Sequence, residues 1–117
     1  MTTPITGNRY IAYARCACPQ NAAAKLDRQI RAIRRFADDF DMRCVSEARL
    51  AGVSGGPPAM RNDLRALLAR KQEQDDYDVL IMEDFARLTR AGLAEGRQIE
   101  AEFARCGVRI IYLTDTA

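Results

Sequence analysis

Short apolar runs alternate with stretches of helical periodicity along this chain, and that alternation constrains the fold more than any other feature. "RYIAYARC" (Arg9–Cys16) reads as a first strand. A helix follows from a candidate cap at Asn21 to about Phe40, with Leu26, Ile30, Ile33, Ala37 and Phe40 at three-to-four spacing. Arg43–Ala48 reads as a second strand, and Ala51–Met60, "AGVSGGPPAM", as a loop by its Gly, Pro and Ser content. Asn62–Gln74 has Leu64, Leu67 and Leu68 on one helical face, and "YDVLIME" (Tyr77–Glu83) is a buried strand. Arg90–Cys106 is mostly helix, closed by Gly107, and "VRIIYL" (Val108–Leu113) is a fourth strand. Strands that alternate with helices imply a parallel sheet covered on both faces. The expectation is therefore a three-layer α/β/α fold with a mostly parallel, four-stranded or slightly larger sheet. At 117 residues it is one domain, spanning 1–117.

In such sheets ligands sit beyond the carboxyl ends of the strands. The informative loops are those after strands one, two and three: "ARCACPQN", "AGVSGGPPAMR" and "FARLTR". Strand parity puts Tyr13, Arg15 and Ala17 on one side of the first strand and Cys16 on the other. Arg61 ends the second loop. Arg87 and Arg90 are three apart in the third, which in a helical turn puts them on one side. Three loops thus bring arginines to one edge. Each can pair with a nearby acid such as Asp63, Glu83 or Asp84, or the cluster can grip a polyanion, because guanidinium–phosphate bonds are charge-assisted and orienting.

Composition narrows the partners only slightly. A net charge of +2 from 18 basic and 16 acidic residues does not by itself argue for nucleic acid. Lys25 and Lys71 are the only lysines; the arginine preference fits either genomic base composition or phosphate recognition by the planar fork. With four cysteines (Cys16, Cys18, Cys44, Cys106) and no histidine, the spacing matches no zinc pattern, and reduced thiols are expected. "GVSGGPP" lacks the Gly-Lys-Ser/Thr ending of a P-loop and is not a GxGxxG turn, which disfavours both modes of nucleotide binding. No apolar run is long enough to span a membrane, and "MTTPITGNRY" has no signal-peptide pattern, so a cytoplasmic protein is the default expectation.

Taken together, these motifs resemble the N-terminal catalytic domain of the serine site-specific recombinases, the resolvase/invertase family. "YARCA" is similar to the family's Tyr-Ala-Arg-Val-Ser, and Leu26 to Gln29 to its Leu-x-x-Gln. "GVSG" is intact at Gly52–Gly55, Arg61–Leu64 is an Arg-x-x-Leu, and "ARLTR" (Ala86–Arg90) stands where the family has Asp-Arg-Leu-x-Arg. The closing "GVRIIYLTD" also fits. The resemblance implies DNA strand exchange without metal or cofactor. In the family a serine hydroxyl attacks a phosphodiester, leaving a 5′-phosphoserine link and a free 3′-hydroxyl. It also implies that Arg15, Arg61, Arg87 and Arg90 hold the DNA phosphate, with Ser54 at the small-residue position of the "GVSG" loop. Family members continue into a long dimerisation helix and a DNA-binding domain, and the expected assembly of a full-length member is a homodimer or tetramer.

The chain departs from the family at its chemistry. Ala17 occupies the nucleophile position, and Ala86 replaces the motif aspartate. A methyl group cannot attack phosphorus, and losing a nucleophile typically removes about 10⁴–10⁶ of rate. Cys18 is the alternative nucleophile, since clustered arginines favour a thiolate, although strand parity turns it away from the crevice. The competing readings are a non-catalytic resolvase-like DNA- or protein-binding module, and a flavodoxin-like domain for a small phosphate ligand.

Overall fold

The computed structural model describes residues 8–53 and 61–114. The elements run β1 (Arg9–Cys16), α1 (Ala22–Asp39), β2 (Arg43–Ala51), α2 (Asn62–Gln74), β3 (Val79–Met82), α3 (Phe85–Leu88), α4 (Leu93–Arg105) and β4 (Arg109–Tyr112). The four strands form one sheet in the order β2-β1-β3-β4, and every pairing is parallel. All the carboxyl ends therefore lie at one edge.

Strand β1 is central and buried over nearly its whole length because helices cover both of its faces. Ile11 and Tyr13 pack with Leu64 and Leu67 of α2, Leu88 of α3, and Ile99 and Phe103 of α4. Tyr10, Ala12, Ala14 and Cys16 face Leu26, Ile30, Ile33 and Ala37 of α1. The apolar stripe expected on α1 is thus the one that is buried. Phe40 is the exception: it lies past the last turn, is 64% exposed, and sets its ring tilted against that of Phe36 at 4.8 Å. The chain leaves α1 through Asp41 at a positive φ of 54°.

Four further expectations change. Asn21 occupies the position before α1, but in a left-handed conformation with no side-chain cap; only its carbonyl joins the helix, accepting from Lys25 N–H at 3.1 Å. Strand β2 runs three residues beyond Ala48, because pairing with β1 continues through Arg15↔Leu50 and Cys16↔Ala51. The helix expected over Arg90–Cys106 starts only at Leu93, and a separate one-turn helix, α3, forms in the loop before it, ending at Leu88 with Thr89 extended. Gly92 at φ 128° then starts α4 in a conformation that disfavours a side chain. Gly107, at φ 88°, ends α4 as expected. Strand β3 is also shorter than Tyr77–Glu83. Tyr77 instead turns its ring into the core and donates its hydroxyl to Leu67 O at 2.6 Å. No helix among the described residues is long and apolar enough to cross a membrane.

Candidate functional site

Past Met82, β3 no longer borders β1, and the backbone of Arg15 needs other partners. Gln29, buried on α1, supplies them: its Oε1 accepts Arg15 N–H at 3.2 Å and its Nε2 donates to Arg15 O at 3.1 Å. This amide extends the strand ladder by one residue and fixes where the Arg15 side chain leaves the sheet. A glutamine inside an apolar helix stripe was the signal for it in the sequence.

The Arg15 guanidinium is 1% exposed. It donates Nε to Arg87 O at 2.8 Å, Nη1 to Val53 O at 2.8 Å, and Nη2 to Ala86 O. Three backbone carbonyls, one from Val53 just past β2 and two from α3, thus converge on one fork. Arg87 reciprocates, donating Nη1 to Arg15 O at 2.8 Å. Arg15 makes no ion pair among the described residues. Burial, then the nearby positive charges of Arg61 and Arg87, hold its pKa below the usual arginine value. Asp63 offsets this only in part, so Arg15, Arg61 and Arg87 against Asp63 and Asp84 leave net positive potential at this edge.

The other arginines differ from one another. Arg61, 8% exposed, donates Nε to Asp63 Oδ1 at 3.0 Å, Nη1 to Leu88 O at 3.0 Å and Nη2 to the Tyr13 hydroxyl at 2.7 Å. Tyr13 in turn donates to Asp63 Oδ2 at 2.6 Å. Burial first, and that hydrogen bond second, push the Tyr13 phenol well above its ordinary range. Arg87 is half-buried and pairs with Asp84 at 3.2 Å, while Asp84 also caps α3. Pairing with nearby acids therefore holds for Arg61 and Arg87 and fails for Arg15.

Arg90 lies beyond the α3 turn and is exposed, so it does not share a helical face with Arg87. Among the described residues it has no polar partner. Ala17 is exposed immediately after β1. Cys18 is also exposed, and its carbonyl accepts from Cys16 Sγ at 2.9 Å. Ser54 lies outside the described residues.

The sequence pattern of the family described as "Resolvase, N terminal domain" matches residues 10–117. The chain belongs to that family. Among solved structures, this resolvase domain is similar to the C-terminal catalytic domain of ISC1926 TnpA, an IS607-like serine recombinase. The two share 28% identity at a TM-score of 0.75, over 92% of this chain and 72% of the other. It also has the fold of the N-terminal catalytic domain of TP901-1 integrase (18% identity, TM-score 0.77, 90% and 77% covered). A resolvase family site-specific recombinase from Streptococcus pneumoniae shares the fold too (22% identity, TM-score 0.74, 90% and 71% covered). No functionally curated protein matches the chain. The resolvase domain thus has a serine recombinase catalytic-domain fold, with the buried arginine fork at the carboxyl edge of its sheet.

Proposed function

We propose that this domain, as one unit over residues 1–117, binds the phosphates of duplex DNA at the carboxyl edge of β1 and does not cleave them. The observation that carries the reading is the buried Arg15 guanidinium. It is held by three carbonyls, and with Arg61 and Arg87 it makes three cations against the carboxylates of Asp63 and Asp84, which leaves positive charge for an anion to balance. The donors at this edge are guanidinium and phenol groups, which suit anions rather than metal ions.

In this reading Arg15 holds Arg87 and the loop ends in place and supplies field. Arg87 and the exposed Arg90 reach the phosphate, and Arg61 and Ser54 complete the cradle. Ala17 stands where family members attack, so the phosphate is positioned without a nucleophile beside it. Base readout is not part of this surface, so binding is weak and indifferent to sequence, with dissociation constants of about 10⁻⁴–10⁻⁶ M at physiological salt. Self-association into a homodimer or tetramer belongs to the same proposal, as does action in the cytoplasm.

The test is anisotropy of a short fluorescent duplex with the natural protein and with Arg87→Gln/Arg90→Gln, alongside a denaturing gel for covalent adducts. Salt-sensitive binding that weakens in the double variant, without an adduct, is the expected result. Absence of binding at low salt overturns the DNA reading. A denaturant-resistant adduct overturns the non-cleaving reading, and its disappearance in Cys18→Ala would assign the attack to that thiol. On the chemistry alone, Ala17→Ser restores the missing oxygen; nicking of supercoiled DNA by that variant would show the rest of the site to be competent.

A further inference from the structure

Asp63 is the one acid among the described residues that reaches into the buried part of the arginine cluster. It lies in the first turn of α2, where the helix amide dipoles also favour a carboxylate. Its side chain is 14% exposed against 8% for Arg61. Oδ1 takes Arg61 Nε at 3.0 Å, while Oδ2 takes the Tyr13 hydroxyl at 2.6 Å and lies 3.4 Å from Arg61 Nη2.

A guanidinium offers two edges for a bidentate grip. On Arg61 the Nε/Nη2 edge is filled by Asp63. The Nη1/Nη2 edge is spent on Leu88 O and the Tyr13 oxygen. A phosphate that takes Arg61 by its Nε/Nη2 edge must therefore displace Asp63. Even a phosphate that only approaches meets its negative charge. Asp84 is placed differently: it caps α3 by accepting from Arg87 N–H, and its pair with Arg87 is about a quarter exposed.

We propose that Asp63 is an internal competitor for the DNA phosphate, occupying Arg61 in the free domain and so setting a low affinity until the two separate. Resting on the reading that this edge binds DNA phosphate, the inference makes Asp63 a positioning and affinity-setting residue, not a catalytic one. The Asp63→Asn substitution keeps the side-chain shape and one of the two acceptor oxygens, for Tyr13 or for Arg61, while removing the charge, so it separates electrostatic competition from packing.

The experiment is a titration of a short fluorescent duplex at several salt concentrations with the natural 117-residue chain, Asp63→Asn, Arg61→Gln and the double variant. Asp63→Ser serves as a second substitution in case the first perturbs folding, which thermal melts monitor. The expected result is about tenfold tighter binding by Asp63→Asn, since Coulomb repulsion at a few ångströms is large and only partly screened. Its salt slope should steepen by about 0.9, one more phosphate being neutralised. Both gains should vanish when Arg61 is replaced by glutamine. If Arg61→Gln weakens binding but neither Asp63 variant strengthens it, the competitor role is wrong and the DNA reading stands. Tighter binding that persists without Arg61 also overturns it, because the gain is then general charge. If no variant binds at low salt, the DNA reading fails and the competitor role falls with it.

Discussion

Replacing Gln29 by alanine removes both bonds of the clamp on Arg15, and the cost can be worked from its contacts. The side chain is 2% exposed, and its bonds to Arg15 N–H and O are 3.2 and 3.1 Å. The Arg15 carbonyl keeps the Arg87 Nη1 donor at 2.8 Å, so it is not orphaned. The Arg15 N–H loses the acceptor that Gln29 supplies. Two hydrogen bonds at about 1 kcal/mol each, plus part of the roughly 1–3 kcal/mol for a buried unsatisfied donor, give a loss of about 2–4 kcal/mol. For a domain of this length that is a fall of about 8–16 °C in Tm. Urea unfolding followed by circular dichroism should show a lower midpoint at unchanged slope. Gln29→Glu keeps the acceptor and loses the donor, so it should retain the N–H bond and lose the other. Gln98→Ala, on the exposed side of α4, should change stability by less than about 0.5 kcal/mol. A loss below about 0.5 kcal/mol for Gln29→Ala would refute the clamp, leaving the end of β1 held by its pairing with β2 alone.

Other expectations follow from packing and from protons. A Cβ at Gly96 would collide with the Phe85 ring, itself set between Tyr112 at 5.7 Å and Arg97 at 5.6 Å. Gly96→Ala should therefore cost about 1–2 kcal/mol by thermal melting despite its better helix propensity, and Phe85→Leu in the same chain should recover part of it. Burial holds Tyr10 up to about 12 and Tyr13 and Tyr77 still higher. The unfolded phenols ionise near pH 10, so stability is complete below about pH 10 and falls above it by about 1.4 kcal/mol per pH unit for each of these three. Phenolate absorbance should accordingly rise together with loss of circular dichroism; ionisation near pH 10 with the fold intact would contradict it. At the opposite edge, Asp78 is held below the usual carboxylate range, first by its hydrogen bond from Arg9 at 2.7 Å and then by Lys71. That stabilisation is present above about pH 4 and is lost as pH falls through the depressed value. Asp78→Asn should flatten the acid limb of the stability curve in an acid titration monitored by circular dichroism.

Much of the fold was legible because side-chain burial leaves a local record. The apolar runs Tyr10–Ala14 of β1 and Val79–Met82 of β3 are what a strand needs between two helix layers, and Leu26, Ile30, Ile33 and Ala37 mark the α1 stripe that meets them. Parallel order then puts "YARC", Gly52–Val53 and "ARLTR" at one edge. Element ends were less legible. Phe40 continues the α1 period but lies beyond its last turn, and the break at Thr89–Gly92 follows from a glycine conformation that the surrounding helix formers conceal.

The sequence by itself thus determined the layer architecture, the family, and the absence of a hydroxyl at position 17, since each depends on residue identity and short-range spacing. Tertiary structure alone decided what each arginine touches. The Arg15 fork is completed by carbonyls 38, 71 and 72 residues away, and every residue type carries that same acceptor, so nothing in the sequence marks them. Arg61 and Arg90 look equivalent in a motif, yet one is buried against Asp63 and the other faces solvent. The difference arises because the N-terminus of α2 and the extended chain after α3 aim them in different directions.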